Sequence, residues 1–390
     1  MPTSTSGPKV GLEDVPPGEA TQIDNIAALT IKQLANRYTG KPRVLRGVHP
    51  KDHGCVEATF TVSETLDPKY RVGLFKKPGK KFRAAIRFSN ASALVGDDAT
   101  LEPGPPTGAE VRTQGSRGMA VKLYDVGGDR LVPGDGERTQ DFLMINQPVF
   151  AFANVEDYEV LSALIAVDDR AAGKFFERTD LSQDAKARMM ASRNIILRIK
   201  GFVPPPFQPS PLSPLDNAYF SAAPFLFGEG RAMKFSAKPV NPMSGDLGDA
   251  VNKADYLLEA MGKRMAEADG KDICFDFQVQ VRKAEDLGDI KVQMENMCTL
   301  WEDEFVTVAR ITIPPQDISS AERKEFCETL FYTPWHGLAD HQPLGGINRL
   351  RQKVYDTSAR ERKCPVSPEL PVQKPKGLLG FLLRLFGLKR

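Results

Sequence analysis

The sequence predicts an α+β protein built round an antiparallel barrel or sheet, with helices surrounding it. Short stretches alternate between apolar and polar residues or run apolar over a few positions, and turns rich in glycine and proline separate them. Stretches with helical spacing of apolar residues precede and follow these runs. We find no internal repeat, so one large domain fits better than several small ones. The predicted strands are Val56–Val62, Phe82–Ser89, Met119–Tyr124, Phe142–Ile145, Ala232–Pro239, Cys274–Arg282 and Phe305–Ile313.

Helices are predicted on both sides of the strands in chain order. The first spans Glu19–Tyr38, where apolar residues recur at helical spacing. Helical character returns over Asn154–Ile199, Glu322–Phe331 and Gln342–Arg362. A proline-rich crossover from Phe202 to Pro214 excludes a regular helix or a central strand there, because proline lacks the backbone donor that both require.

The two ends of the chain differ in composition from its centre. Residues 1–18 are rich in Pro, Gly and Ser, which predicts a flexible arm, and residues 19–365 form the single predicted domain. Residues 366–390 are predicted to be a linker and a short tail. Its segment 374–390 holds an apolar run between basic ends, too short to span a bilayer, which takes roughly 20 residues. The tail suits a peripheral helix on an anionic membrane, and docking on the protein body or a partner subunit is the equal alternative.

Composition excludes several classes of protein. The chain has 390 residues, 41% of them hydrophobic, and a formal net charge of +2, so it can bury a substantial core and gives no reason to expect nucleic acid as a partner. The five cysteines are odd in number, far apart and without zinc spacing, which favours a reduced compartment. The N-terminus has no basic and apolar segments of a secretory signal. We therefore expect a cytoplasmic location, with membrane contact through the tail as the qualification.

One pair of residues near the C-terminus has the chemistry of a metal ligand. Arg351 stands four positions before Tyr355, which places both on one face of a helix. Tyrosine binds ferric iron only as the phenolate, and a neighbouring guanidinium favours that anion. A surface cation–π contact is the commoner explanation for such a pair taken alone.

Five segments in order along the chain give this pair its context. They are Arg46–Lys51, Ala85–Ser89, Arg117–Tyr124, Asn146–Phe150 and Arg351–Thr357. The series resembles the catalase superfamily, with weaker similarity at Phe275–Val281 and Phe331–Pro334, and covers residues from about 40 to 365. The resemblance implies a catalase-like antiparallel β-barrel core, with haem b and its iron buried between the barrel and a C-terminal helix. It also implies a possible homo-oligomer.

The resemblance implies three residues on the peroxide side of the haem. His49 would act as the base in O–O cleavage, since imidazole can both take and return a proton near neutral pH. Ser89 would hold the other ring nitrogen of His49, and Asn146 would position peroxide through its amide. The alternatives are a loop histidine bonded to backbone, a solvent-facing serine and a turn or capping role for Asn146.

The remaining implied residues hold the cofactor. Tyr355 would be the proximal iron ligand, as in the tyrosine-ligated haem of catalase. Guanidinium groups suit the haem propionates because their fork geometry matches a carboxylate, and Arg360 competes with Arg362 for one of these places. The implied cofactor-binding residues are Arg46, Val48, Arg87, Phe150, Arg351, Tyr355 and Arg362. Phe152 would pack near the haem as well, although ordinary core packing also explains both phenylalanines.

The expected function is a haem-dependent hydroperoxidase, a catalase- or peroxidase-type oxidoreductase acting on hydrogen peroxide or organic hydroperoxides. Val48 is the catalase-type residue before the distal histidine, whereas the allene oxide synthase branch has threonine in the similar place. A first alternative is an enzyme that rearranges fatty-acid hydroperoxides at a membrane surface. A second is a haem-binding protein without turnover.

Two further residues are predicted to have no special role: His53 as a solvated loop residue, and Cys55 as a small apolar strand residue rather than a redox-sensitive thiol.

Overall fold

The computed structural model describes residues 12–92, 96–104, 107–132, 138–203, 207, 213–243, 253–283 and 294–364. Most of the predicted arm and the whole predicted tail lie outside these ranges, so the membrane-contact prediction stays a prediction. Leu12 and Glu13 belong to the predicted arm but are buried, and Glu13 pairs with Arg349. The flexible-arm prediction therefore does not extend to these two residues. Within the described part of the chain, no helix has the length and hydropathy needed to cross a membrane.

Six α-helices are described. They are α1 (Glu19–Tyr38), α2 (Val155–Ile165), α3 (Gln183–Ile199), α4 (Tyr256–Glu267), α5 (Ala321–Thr329) and α6 (Gly346–Glu361). Side chains cap three of them by accepting a backbone N–H of the first turn, namely Asn154 for α2, Ser182 for α3 and Ser320 for α5. Helix α1 packs against both α2 and α6. The three helices thus form one layer beside the strands.

Eleven strands are described. They are β1 (Asp52–Val62), β2 (Lys81–Asn90), β3 (Ala99–Pro103), β4 (Glu110–Gln114), β5 (Arg117–Leu123), β6 (Gln140–Ile145), β7 (Tyr219–Phe220), β8 (Phe225–Leu226), β9 (Arg231–Pro239), β10 (Ile273–Lys283) and β11 (Val306–Ile313). Eight of them close into an antiparallel barrel in the order β10-β11-β1-β2-β5-β6-β7-β9, because β9 also pairs with β10. Strand β8 adds to β9, and β3 pairs with β4 apart from the barrel.

The barrel interior is filled with aromatic rings. Phe60, Phe142, Phe235 and Phe277 come from four different strands, and neighbouring ring centroids lie 4.7–6.1 Å apart. Alternation along each strand sends these rings inward, where each is at most 1% exposed. The expected α+β barrel with surrounding helices is confirmed. Its interior is a packed core, so a ligand must bind outside the barrel.

A buried ion pair links two neighbouring barrel strands. Lys122 in β5 and Asp141 in β6 are cross-strand partners, and Lys122 Nζ lies 2.8 and 2.9 Å from the two carboxylate oxygens. Both side chains are fully buried. The backbone N–H of Thr333 and the ring of His336 also contact the carboxylate of Asp141. Burial opposes ionisation of Asp141, but Lys122 and His336 outweigh it and lower the pKa of Asp141.

Two sequence predictions are wrong in the structure. Strand β1 begins at Asp52, so His53 is a strand residue that is 1% exposed, and its Nε2 lies 2.8 Å from Asn90 Oδ1. Burial lowers the pKa of His53 to about 4. Cys55 is buried as expected but forms a disulfide with Cys327, so this pair is not reduced. The pairing joins residues 272 positions apart, which the barrel and α5 bring together.

Candidate active site

A cavity of ≈ 690 Å³ lies between the outer side of the barrel and helix α6. The barrel contributes residues of β2, β5 and β6, and the segment before β1 contributes Arg46 to His49. Helix α6 contributes the face that carries Leu350, Arg351, Val354, Tyr355 and Ser358. The size falls in the range typical of cofactor and small-molecule pockets. The cavity therefore brings the first and last of the five sequence segments together.

His49 is held in place by two neighbouring barrel strands. Its Nδ1 lies 2.9 Å from Ser89 Oγ, and its backbone has a positive φ of 58°, uncommon for a residue other than glycine. Ser89 in β2 is the cross-strand partner of Gly118 in β5. A Cβ on Gly118 would lie 2.6 Å from two ring atoms of His49 and 2.9 Å from Ser89 Oγ. The ring thus packs directly on the backbone of β5.

The charge state of His49 follows from its surroundings. Burial and the positive charges of Arg87, Arg351 and Arg46 lower the pKa of His49 to about 3. The ring is therefore neutral near pH 7. A neutral imidazole with one nitrogen held by Ser89 presents its other nitrogen as a proton acceptor or donor.

The amide side chains after β6 divide between two roles. Asn146 Oδ1 accepts the backbone N–H of Arg117 at 2.8 Å, which ties the end of β6 to the start of β5. Among the described residues around the cavity, Gln147 lines the wall and Asn146 does not. Gln147 Nε2 donates to Ser116 Oγ, beside the turn into β5. Gln147 was not singled out in the sequence, although it shares the segment that suggested Asn146.

The α6 face of the cavity carries the arginine and tyrosine pair. Arg351 donates to Tyr355 Oη at 3.4 Å, and its guanidinium carbon lies 5.2 Å from the centre of the tyrosine ring. Arg351 also donates to Asn348 Oδ1 at 3.0 Å, which anchors it one turn earlier on the same helix. Both side chains line the cavity and are half-buried. The guanidinium therefore lies against both the hydroxyl and the ring face of Tyr355.

Aromatic side chains of α2 and the segment before it form an adjoining wall. The ring centroids of Phe150 and Phe152 lie 6.0 Å apart, and Tyr158 lies 5.9 Å from Phe150. Burial and the nearby Tyr355 raise the pKa of Tyr158 to about 12, which keeps its hydroxyl protonated. The sequence did not single out Tyr158, because a tyrosine in an amphipathic helix carries no signal of its own. The wall supplies the large flat apolar surface that a porphyrin requires.

Three arginines of the cavity wall gather round Glu328. Glu328 lies 3.0 Å from Arg46 and 3.6 Å from Arg87, and its carbonyl accepts from Arg362 at 3.4 Å. Burial opposes ionisation of Glu328, but the three guanidinium groups outweigh it and lower the pKa of Glu328. We call these four residues the guanidinium cluster. Arg360 is mostly exposed and pairs with Asp356 instead, so Arg362 is the arginine that faces the cavity.

The guanidinium cluster retains positive charge and unused donors. Three guanidinium groups and one carboxylate leave two positive charges. Burial is the main reason that the pKa of Arg87 falls to about 10 and that of Arg362 to about 9. The Nε atoms of Arg87 and Arg362 are buried without a hydrogen-bond partner in the described part of the chain. A ligand with two carboxylates would satisfy both the charge and the donors.

The residues therefore fit haem. The guanidinium cluster suits its two propionates, the aromatic wall suits the porphyrin ring, and Tyr355 supplies an oxygen ligand of the kind that binds ferric iron in a haem site. Val48, Arg87, Ser89, Phe150 and Phe152 all line the same cavity. Of the catalytic and cofactor-binding residues implied by the resemblance, all except Asn146 line the cavity.

Comparisons with known proteins identify the fold. No protein-family model and no curated protein matches the sequence. A fungal catalase matches the structure with a TM-score of 0.62 and 14% identity, covering 88% of this chain and 68% of that one. A bacterial catalase matches with 0.55 and 15%, covering 95% and 66%, and catalase A from Saccharomyces cerevisiae with 0.55 and 14%, covering 96% and 77%. The chain thus has the catalase fold over about two thirds to three quarters of the length of these catalases.

Proposed function

We propose that this chain binds haem b in the cavity and cleaves the O–O bond of hydroperoxides. The observation that carries the proposal is the presence in one cavity of two complementary pairs, His49 with Ser89 and Tyr355 with Arg351. The first pair has the chemistry of a proton-transfer group and the second that of an iron ligand. The catalase fold supports the same function.

Bound haem would supply a ferric iron at which peroxide is polarised and its O–O bond weakened. Tyr355 is the proposed ligand of that iron, and Arg351 donates to its hydroxyl oxygen at 3.4 Å, where a positive charge would complement an anionic ligand. An anionic oxygen ligand stabilises the ferric state. Arg46, Arg87 and Arg362 are the proposed partners of the propionates.

His49 is the proposed base. With its proton on Nδ1 donated to Ser89 Oγ, the Nε2 lone pair of His49 would be free to take a proton from a bound hydroperoxide. His49 then returns that proton to the oxygen that leaves. A pKa lowered to about 3 keeps the ring neutral before each turnover. Ser89 and Gly118 fix the ring position that this transfer requires.

Two substrate classes fit the proposal, hydrogen peroxide and organic hydroperoxides. The cavity is also lined by Ile165 of α2, by Ile196 and Ile199 of α3, and by the ion pair of Lys200 and Glu102. These apolar side chains favour organic hydroperoxides as a second candidate, including the fatty-acid hydroperoxides expected as an alternative from the sequence. A haem protein without turnover remains the other alternative, and the His49–Ser89 bond argues against it.

Oxygen evolution by the haem-loaded protein tests the proposal. The wild-type protein should release oxygen from hydrogen peroxide or consume an organic hydroperoxide. His49→Ala should retain the haem spectrum and lose cleavage by about 100-fold or more, the usual contribution of a positioned proton-transfer group. Full activity of haem-loaded His49→Ala would contradict the proposed mechanism. Activity on hydrogen peroxide alone would exclude the fatty-acid alternative.

A further inference from the structure

A disulfide lies directly beside the guanidinium cluster. Cys55 in β1 is the cross-strand partner of Arg87 in β2, and Cys327 in α5 immediately precedes Glu328. Each sulfur-bearing residue therefore adjoins one member of the cluster. Both cysteines are buried in an apolar group that also contains Tyr332, a residue of the cavity wall.

The C-terminal end of α5 supplies most of the acceptors of Arg46. Its guanidinium donates to the carbonyl of Leu330 at 2.7 Å, to the carbonyl of Cys327 at 3.4 Å and to the carboxylate of Glu328 at 3.0 Å. The carbonyl of Glu328 also accepts from Arg362. The arrangement of the guanidinium cluster thus depends on where this end of α5 lies.

The other end of α5 has its own attachment to the barrel. Arg323 in the first turn pairs with Glu57 of β1 at 2.9 Å. Cleaving the disulfide therefore leaves α5 attached by its N-terminal half and by the packing of Phe326. The end that bears Glu328 loses its covalent tie to β1. Cys327 is separated from Glu328, a member of the guanidinium cluster, by a single peptide bond.

We propose that Cys55 and Cys327 form a redox-active pair that controls how tightly the cavity holds haem, with the disulfide as the tight-binding form and a hydroperoxide as its oxidant. This inference rests on the proposed function, since that function supplies both the cofactor and the peroxide. It assigns a role to the disulfide that the fold alone does not require, because the α5–β1 contact also has a salt bridge and apolar packing.

The oxidation balances with hydrogen peroxide as the only co-reactant. One thiol, as thiolate, attacks a peroxide oxygen, so that an S–O bond forms, the O–O bond breaks and the leaving oxygen departs as water. The second thiol attacks that sulfur, the S–S bond forms, and the S–O oxygen leaves as a second water. The proton of the first thiol ends on the leaving oxygen, and Cys327, whose Sγ has the polar neighbour Asp52 Oδ2 at 3.7 Å, is the proposed attacking residue. A dithiol reductant returns the pair to two thiols.

Because of thermodynamic linkage, the coupling can be measured either as a change in haem affinity or as a change in the reduction potential of the disulfide. If the disulfide raises the affinity for haem by a factor, bound haem must raise the resistance of the disulfide to reduction by the same factor. We expect a factor of about ten, within the range typical of coupling between two sites. For a two-electron couple this corresponds to a midpoint potential about 30 mV lower in the haem-loaded protein.

The first experiment measures haem loss to an excess of a haem-free scavenger globin. Wild-type protein loaded with haem is compared before and after treatment with a dithiol reductant that is removed before the assay. Reduction should accelerate haem loss by about ten-fold. The double variant Cys55→Ser/Cys327→Ser should lose haem at the faster rate and should not respond to the reductant. Cys274→Ser, which alters a free cysteine in β10, is the matched control and should behave as wild type.

The second experiment measures the midpoint potential by thiol labelling in redox buffers, with and without haem. It is carried out in a Cys364→Ser background, because Cys364 is a free cysteine whose Sγ lies 3.8 Å from the carbonyl of Glu328, the residue that follows Cys327. Equal haem loss in oxidised and reduced wild-type protein, or equal potentials with and without haem, would overturn the inference while leaving the proposed function intact. A chain that binds no haem would overturn both. Circular dichroism of the double variant separates loss of fold from loss of haem.

Discussion

Gly118 lies directly beneath the ring of His49, so close that a single methyl group at this position would lie 2.6 Å from Nδ1 and Cε1. Real contacts of this kind do not occur, and the methyl would also lie 2.9 Å from Ser89 Oγ. The position of the proposed base is therefore set by the absence of a side chain in β5 as much as by its bond to Ser89.

Gly118→Ala should displace His49 and reduce hydroperoxide cleavage by about 100-fold, the lower end of what a positioned proton-transfer group contributes. The haem spectrum should remain, because Tyr355 and the guanidinium cluster lie on other elements. Gly262→Ala is the matched control, since a Cβ there meets no atom within 4 Å and the residue lies within helix α4. Turnover and absorption measured on the same samples check the prediction. An active Gly118→Ala protein would show that the ring position is not critical.

Arg362 and Arg360 offer a matched pair of substitutions for the propionate contacts. Arg362→Gln should weaken haem binding by about ten-fold or more, because it removes a charge-assisted hydrogen bond worth roughly 1.5–3 kcal/mol. Arg360→Gln should leave haem affinity unchanged, since Arg360 is mostly exposed and pairs with Asp356. Haem titration followed by absorption gives both affinities. Equal effects of the two substitutions would remove Arg362 from the haem site.

Three histidines with lowered pKa values predict how stability depends on pH. Burial lowers the pKa of His49 to about 3 and those of His53 and His341 to about 4. Between these values and the ordinary value near 6.5, the unfolded chain binds these protons and the folded chain does not. The free energy of unfolding should therefore fall as pH decreases below about 6.5, by about 1.4 kcal/mol per pH unit for each histidine.

Denaturant unfolding of wild type and of His341→Gln between pH 5 and 6 checks this dependence. The slope of the unfolding free energy against pH should be smaller in the variant by the contribution of one proton. His341 lies in the barrel-side core, where its Nε2 accepts the backbone N–H of Leu74 at 3.0 Å, so the substitution leaves the cavity unchanged. Identical slopes would mean that His341 is protonated in the folded protein.

The buried ion pair predicts a large effect on stability. Lys122→Met leaves the carboxylate of Asp141 buried without its main counter-charge and should destabilise the protein by about 3–5 kcal/mol. Lys253→Met is the control, because Lys253 and Glu259 are more than half exposed and such a pair contributes at most about 1 kcal/mol. Thermal unfolding of wild type and of the two variants measures the loss of stability caused by each substitution. Similar losses of stability in the two variants would show that the buried pair of Lys122 and Asp141 stabilises the protein no more than an exposed ion pair does.

The long elements of the fold were predictable from the sequence because their residue patterns are local. Helix α1 begins and ends as predicted, and seven barrel strands lie within a few residues of their predicted positions. Helix α4 was missed, although its buried residues Tyr256, Leu257, Ala260, Met261 and Met265 recur at helical spacing. Strands β7 and β8 have two residues each, too few for any period to appear.

The site was predictable only in part, because several of its residues are far apart in the sequence and come together only in the folded chain. His53 follows Asp52 and precedes Gly54, a composition typical of a turn, yet pairing with β2 buries it. Glu328 and Cys327 come near Arg87 and Cys55 only because α5 packs on β1, a contact between residues more than 240 positions apart. Gln147 and Tyr158 lie on the cavity wall through the direction of their side chains, which no local pattern indicates.

The central claim is that Tyr355 binds ferric iron in this cavity. The most direct measurement is the absorption and resonance Raman spectrum of ferric haem titrated into wild type, Tyr355→Phe and Tyr158→Phe. We expect a phenolate-ligated spectrum in wild type and in Tyr158→Phe, and loss of that signature with weaker binding in Tyr355→Phe. An unchanged spectrum and affinity in Tyr355→Phe would contradict the central claim.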